Sequence, residues 1–239
     1  MLTDFPKIRP ELPAEYAAIY ALHYKSNREG GTSAASLSQR MESWMHKKTA
    51  LYGTGNKTLE IGAGTLNQLP YEKPEIYDVV EPFTELYENA PEKEKVRKFY
   101  SDISEIPLTE SYDRITSVAT FEHILNLPEV VANSALLLNS DGMLLAAIPN
   151  EGTFLWKLGY KLTTGIEFRL KYGLDYSVLM NYEHVNTADE VEQVLQTFFK
   201  KTTCSVFGLN KKIGFYRFYV CNQPDKTKAE NYLKKLHLK

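Results

Sequence analysis

Residues 58–67 read TLEIGAGTLN. Thr58, Leu59 and Ile61 end an apolar, strand-like run, and Gly62 and Gly64 follow at once. Glycines spaced this closely let the backbone turn sharply and approach a ligand with no side chain between. Gly-x-Gly after a strand serves several nucleotide-binding folds, so the loop alone names no ligand. A dinucleotide fingerprint needs a third glycine for helix packing, and that position here is Asn67. A carboxylate, Glu60, precedes the glycines instead, and Glu81 ends the next strand about twenty residues on, where it would accept two hydrogen bonds from a ribose diol. A carboxylate beside the loop repels phosphate and suits a ligand that carries positive charge.

Outward from this loop the pattern alternates strand and helix, which predicts an α/β domain with a parallel sheet covered on both faces. The expected strands are KTLEIGA (57–63), IYDVVEP (76–82), KFYSDI (98–103), YDRITSVATF (112–121) and GMLLAAIPN (142–150), the last after an Asp141-Gly142 turn. FTELYENA (83–90) and LPEVVANSALLLN (127–139) have helical spacing. Thr187 reads as the N-cap of ADEVEQVLQTFF, with Glu190 completing a capping box. CSVFGL (204–209) and FYRFYVCN (215–222) then form an antiparallel hairpin. Two segments fall outside the alternation. Residues 1–56 are expected to form a helical N-terminal lid, with Leu37, Met41, Trp44 and Met45 on one helix face. Residues 151–186 are expected to be an insertion that covers the site within a domain spanning 57–239.

EIGAGT, then VVEP, SDI and TFEHI, resemble in order the motifs of class I S-adenosylmethionine-dependent methyltransferases. The resemblance covers roughly residues 55–150 and implies a Rossmann-like seven-stranded sheet, mostly parallel, with the last strand antiparallel. It implies S-adenosylmethionine as cofactor. Glu60, Gly62, Ala63, Gly64 and Thr65 would line its methionine part, and Glu81 with Pro82 would hold the ribose. Asp102 and Ile103 would bracket the adenine, and Thr120 and Phe121 would lie alongside. Arg28, in a hinged lid, would meet the cofactor carboxylate. Leu66 departs from the pattern, since many members carry a third glycine there.

Composition narrows the partners. The chain has 239 residues, 43% of them hydrophobic, and a formal charge of −2, enough for one large soluble domain. No basic block marks a nucleic-acid binder, and ATFEHI lacks the N/D-P-P-Y/F motif of nucleobase amino-methyltransferases. The N-terminus lacks an apolar run, no segment approaches a membrane span, and Cys204 and Cys221 read as buried thiols, so a cytoplasmic monomer or homodimer is expected.

Methylating a hydroxyl requires a base near the carboxyl ends of strands four and five. His123, in TFEHI, and His184, in NYEHVN, are the candidates, each preceded by a glutamate. Glu122-His123 resembles part of a magnesium site in ubiquinone-pathway O-methyltransferases, but the glutamate expected three positions earlier is Ala119, so no metal is expected. Trp156, Tyr160, Arg169, Tyr176 and Tyr182 in the insertion, with Tyr24, suit a sugar ring or a planar aromatic. The chain loosely resembles small bacterial methyltransferases that modify polysaccharides or nucleotide sugars. A small aromatic or carboxylate acceptor, a nicotinamide-dependent oxidoreductase and a catalytically silent cofactor-binding subunit are the competing readings.

Overall fold

The computed structural model describes residues 2–20, 33–53 and 57–238, with the side chains of 33–41 and 237 outside the described set. Tyr24 and Arg28 lie outside the described residues, as do His23 and the side chains of Leu37 and Met41.

Seven strands form one sheet: β1 (Lys57–Ile61), β2 (Ile76–Val80), β3 (Lys98–Tyr100), β4 (Tyr112–Val118), β5 (Leu138–Pro149), β6 (Phe199–Gly208) and β7 (Gly214–Pro224). Their order is β3-β2-β1-β4-β5-β7-β6, with β7 antiparallel to both neighbours and the first five strands parallel. The topology reverses between β1 and β4, and open α/β sheets bind ligands at the strand carboxyl ends beside such a point.

Alternation along the strands splits the core. Leu59, Ile61, Leu144, Ala146 and Ile148 face α3 (Leu127–Leu137), α7 (Ala188–Phe198) and α8 (Lys226–His237). Leu145, Ala147, Phe218 and Val220 face the other way, onto Met45 of α1 (Ser33–Ala50). Helix α1, expected within the lid, therefore contributes packing to the sheet through Trp44 and Met45. A short helix α2 (Thr84–Tyr87) follows β2, and the insertion folds as α4 (Phe154–Leu162), α5 (Thr164–Tyr172) and α6 (Ser177–Glu183).

The Thr187–Glu190 capping box opens α7 as its sequence predicts. Two elements differ from expectation. The Asp141-Gly142 turn lies inside β5: the register passes from Leu138 opposite Tyr112 to Met143 opposite Arg114, so residues 139–142 bulge out. The lysine-rich tail is helix α8, whose Ala229, Tyr232 and Leu233 pack on the core while its lysines face solvent.

Candidate active site

The donor side is built by backbone. Gly62 (φ +71°) and Gly64 (φ +52°) both adopt left-handed conformations that glycine enters freely. A Cβ on Gly62 would lie 2.2 Å from Thr120 Cγ2, while the Thr120 hydroxyl donates to Gly62 O at 3.1 Å. Leu66, where the resemblance leads one to expect glycine, holds φ +62°. The strain, about 1–2 kcal/mol, is offset by burying its side chain among Leu69, Tyr77 and Val79.

Glu81 ties the loop to the end of β2. Its Oε2 accepts from Gly64 N–H at 2.8 Å and its Oε1 from Phe83 N–H at 3.1 Å. Each oxygen retains a lone pair for a ribose hydroxyl. Asp102 Oδ1 accepts from the N–H and hydroxyl of Ser104, at 2.8 and 2.6 Å, and so opens a short helical turn. These groups, together with the left-handed glycine cradle, fit a nucleoside cofactor.

Three residues assigned to the donor side sit deeper than the sequence suggests. Glu60 is buried and accepts from Tyr77 Oη at 2.8 Å. Burial pushes its pKa up to about 8, so the carboxyl is protonated at neutral pH. Beside it a buried network runs from His46 on α1 through Gln68 and Glu72 to Arg114 and Thr58. The side chains of Ile103 and Phe121 are core residues. Phe121 presents only backbone nearby, and its carbonyl is taken by Asn186 Nδ2. The sequence pattern placed Glu60, Ile103 and Phe121 against the cofactor, whereas the fold turns their side chains inward.

The acceptor side gathers residues from across the chain. His184 follows α6, and Glu151 follows β5; the His184 Nδ1 to Glu151 Oε2 distance is 2.8 Å. Trp156 Nε1 donates to the same oxygen at 2.6 Å, and Gly152 N–H donates to Oε1 at 3.0 Å. Burial works against the charge on Glu151, but the bonds from His184, Gly152 and Trp156 leave its pKa below the ordinary carboxylate value. Burial likewise opposes a charged His184, yet Glu151, Glu122 and Glu183 together raise its pKa. With Nδ1 anchored on a carboxylate, Nε2 is the nitrogen that accepts a proton. The glutamate that orients His184 is thus Glu151, not the adjacent Glu183.

His123 packs edge-on against His184, ring centroids 4.8 Å apart, with its Nδ1 3.0 Å from Glu183 O. Glu122 is 1% exposed, its Oε2 has no hydrogen-bond partner among the described residues, and burial pushes its pKa up to about 7. Glu122, His123 and His184 each offer one atom within 4.8 Å of the others, a set of ligand types that would have to draw closer together to hold a divalent cation.

Aromatic rings surround the dyad. Trp156 stacks near His184 at 6.4 Å and meets Tyr216 edge-on at 5.7 Å, while Tyr160 and Tyr176 pair at 6.1 Å. Other predicted residues point elsewhere. Tyr182 packs against Tyr20 and lies under the Arg9 guanidinium, and Arg169 is exposed on α5. Sequence reasoning missed Glu42 of α1, whose pKa is raised by burial and whose charge acts on Glu122, Tyr176 and Tyr216. It also missed Glu151 and Tyr216. A carboxylate directly after strand five was the available signal for Glu151; nothing local marked the other two.

No curated protein matches the chain. Solved structures share its fold. A possible histamine N-methyltransferase from Thermotoga maritima is 17% identical, with 87% of this chain and 96% of that one covered and a TM-score of 0.55. The plantazolicin methyltransferase BpumL, solved with SAH and a desmethyl substrate analogue, is 15% identical over 87% and 93%, with a TM-score of 0.56. An O-methyltransferase family protein from Burkholderia thailandensis is 11% identical over 91% and 65%, with a TM-score of 0.54. A family model described as "Methyltransferase domain" matches residues 35–198, well over half the sequence. The chain therefore belongs to the methyltransferase-domain family and is an S-adenosylmethionine-dependent methyltransferase.

Proposed function

We propose that the enzyme methylates a hydroxyl on a small polar acceptor, a sugar or sugar-linked unit, with His184 as general base. The observation that carries this reading is the His184–Glu151 dyad, 2.8 Å apart, beside Trp156, Tyr160, Tyr176 and Tyr216. Flat aromatic faces bind the apolar face of a sugar ring, and phenolic hydroxyls and carboxylates take up its hydroxyls. The glycine loop, Glu81 and Asp102 would hold the cofactor, which would supply an electrophilic methyl group. The protein's own task is to place the acceptor oxygen in line, about 3 Å from that methyl carbon, where positioning is worth effective molarities of roughly 10⁵ to 10⁸ M. His184 Nε2 takes the hydroxyl proton, and Glu151 stabilises the resulting imidazolium. His123 buttresses the His184 ring.

A second reading has one observation in its favour: Glu122, whose Oε2 has no hydrogen-bond partner among the described residues, groups with His123 and His184. A divalent cation there would be held by Glu122, His123 and His184 and would supply Lewis acidity toward the hydroxyl. A panel of nucleotide sugars, sugar phosphates and small aromatic acceptors, assayed with labelled methyl donor with and without chelator, tests both. Sugar turnover insensitive to chelator supports the base; turnover lost on chelation and restored by metal supports the cation. Transfer only to aromatic or carboxylate acceptors would overturn the sugar assignment.

A further inference from the structure

Two of the three insertion helices, α4 and α5, turn large apolar side chains to solvent. On α4 these are Phe154 (78% exposed), Leu158 and Leu162; on α5 they are Ile166 and Leu170 (84%). Successive members are four residues apart within each helix, so each helix carries an outward apolar stripe. The opposite side of α4 holds Trp156 and Tyr160, which face the site. The β6–β7 hairpin tip adds exposed Leu209 and Ile213. Asn150 ties that tip to the start of α4, because its Nδ2 donates to Lys211 O and Gly214 O while its own carbonyl accepts from Thr153 Oγ1.

Charge accompanies the apolar stripes. Residues 154–172 carry Lys157, Lys161, Arg169 and Lys171 against a single acid, Glu167, and the tip adds Lys211 and Lys212. The whole chain is net negative at −2, so this stretch is more basic than the chain as a whole, with Asp175 acting on Lys161 and Arg169. Lys211 pairs with Glu192 at the foot of the tip. Exposed Phe and Leu interleaved with lysines is the pattern of a surface that inserts shallowly among anionic headgroups. Among the described residues, no helix is long and apolar enough to cross a membrane, so contact would be at the interface.

We propose that α4, α5 and the β6–β7 tip form a docking face for an anionic lipid bilayer, which presents the acceptor pocket to a sugar carried on a membrane lipid. The lipid-linked acceptor rests on the sugar reading above; the docking face does not.

The full chain is sedimented with vesicles of phosphatidylcholine alone and of phosphatidylcholine with phosphatidylglycerol. Binding is expected only with the anionic lipid, falling steeply as salt rises from 50 to 500 mM, on the order of tenfold or more. Phe154→Ser with Leu170→Ser, and separately Lys157→Gln with Lys161→Gln, should each weaken vesicle binding on the order of tenfold while leaving calorimetric cofactor affinity and the melting curve unchanged. No binding to anionic vesicles, or binding that both pairs leave intact, overturns the proposal. So does a concentration-dependent dimer that Phe154→Ser with Leu170→Ser dissociates, which would assign the face to a second copy. Because vesicle binding is read without turnover, failure of the sugar assignment leaves this result standing.

Discussion

The two halves of the site are built on different principles. The candidate donor half follows the chain along consecutive strands: Gly62 and Gly64 in one loop, Glu81 at the end of the adjacent strand, Asp102 opening the next turn. Its geometry is backbone geometry, set by left-handed glycines and a carboxylate bonded to a loop N–H. The acceptor half gathers the side chains of Glu42, Glu122, Glu151, His184 and Tyr216 from five separate stretches of the chain, which only the fold brings together. A half built from backbone tolerates little change at its glycines and much elsewhere. A half built from converging side chains is retuned by single substitutions without disturbing the fold.

The sharpest way to break this contrast is Gly62→Arg. The side chain would collide with Thr120, and cofactor affinity measured by calorimetry should fall at least a hundredfold, with a melting curve checking that the chain still folds. Gly62→Ala, smaller but strained at φ +71°, should lose part of that affinity. Retained affinity in both would show that the loop is not the donor cradle.

Next in size is His184→Ala. Turnover should drop about 10²- to 10⁴-fold while cofactor affinity stays within twofold, the reverse of the glycine result. Equal turnover would remove His184 as the base.

Glu151→Gln sharpens the comparison through pH alone. His184 must be neutral to accept a proton, and its pKa is raised above the ordinary 6.5 by Glu151, Glu122 and Glu183 against burial. The acidic limb of kcat/KM should therefore rise through a pH above 6.5. Removing the Glu151 charge should move that limb to lower pH, with turnover reduced about tenfold or more. A limb that stays in place would mean that Glu151 does not control the ring.

The last effect, at the donor half's buried acid, is read in stability rather than in turnover. Glu60 has a folded-state pKa of about 8 against 4.5, owing to burial. Between those values the folded chain binds more protons than the unfolded one, so stability falls as pH rises, by up to about 1.4 kcal/mol per pH unit. Glu60→Gln should flatten that part of the pH–stability curve in denaturant titrations. A loss of cofactor affinity instead would return Glu60 to the pocket wall.

Much of the donor half was legible because its signals are local. The strand–glycine–strand order and the acid about twenty residues on are short-range requirements of backbone geometry, and four such motifs in sequence support one another. Even there, which way a side chain points depended on the sheet. Ile103 and Phe121 are motif residues assigned to the cofactor, yet their apolar side chains were drawn into the core. Glu60 found Tyr77, seventeen residues away on the neighbouring strand. Helix α8 was passed over because lysines masked the spacing of Ala229, Tyr232 and Leu233, which only the core they pack against makes meaningful.

Sequence alone settled the sheet's composition, the glycine turn, the capping box and the presence of two histidines near the strand ends, since each follows from propensity or spacing within a few residues. The tertiary structure decided that Glu151 holds His184, that Glu122 Oε2 is buried with no hydrogen-bond partner among the described residues, and that α1 supplies both packing and Glu42. Those contacts join residues more than thirty positions apart, and chain separation carries no local signal; they exist only once burial brings the elements together and makes an unmatched charge costly.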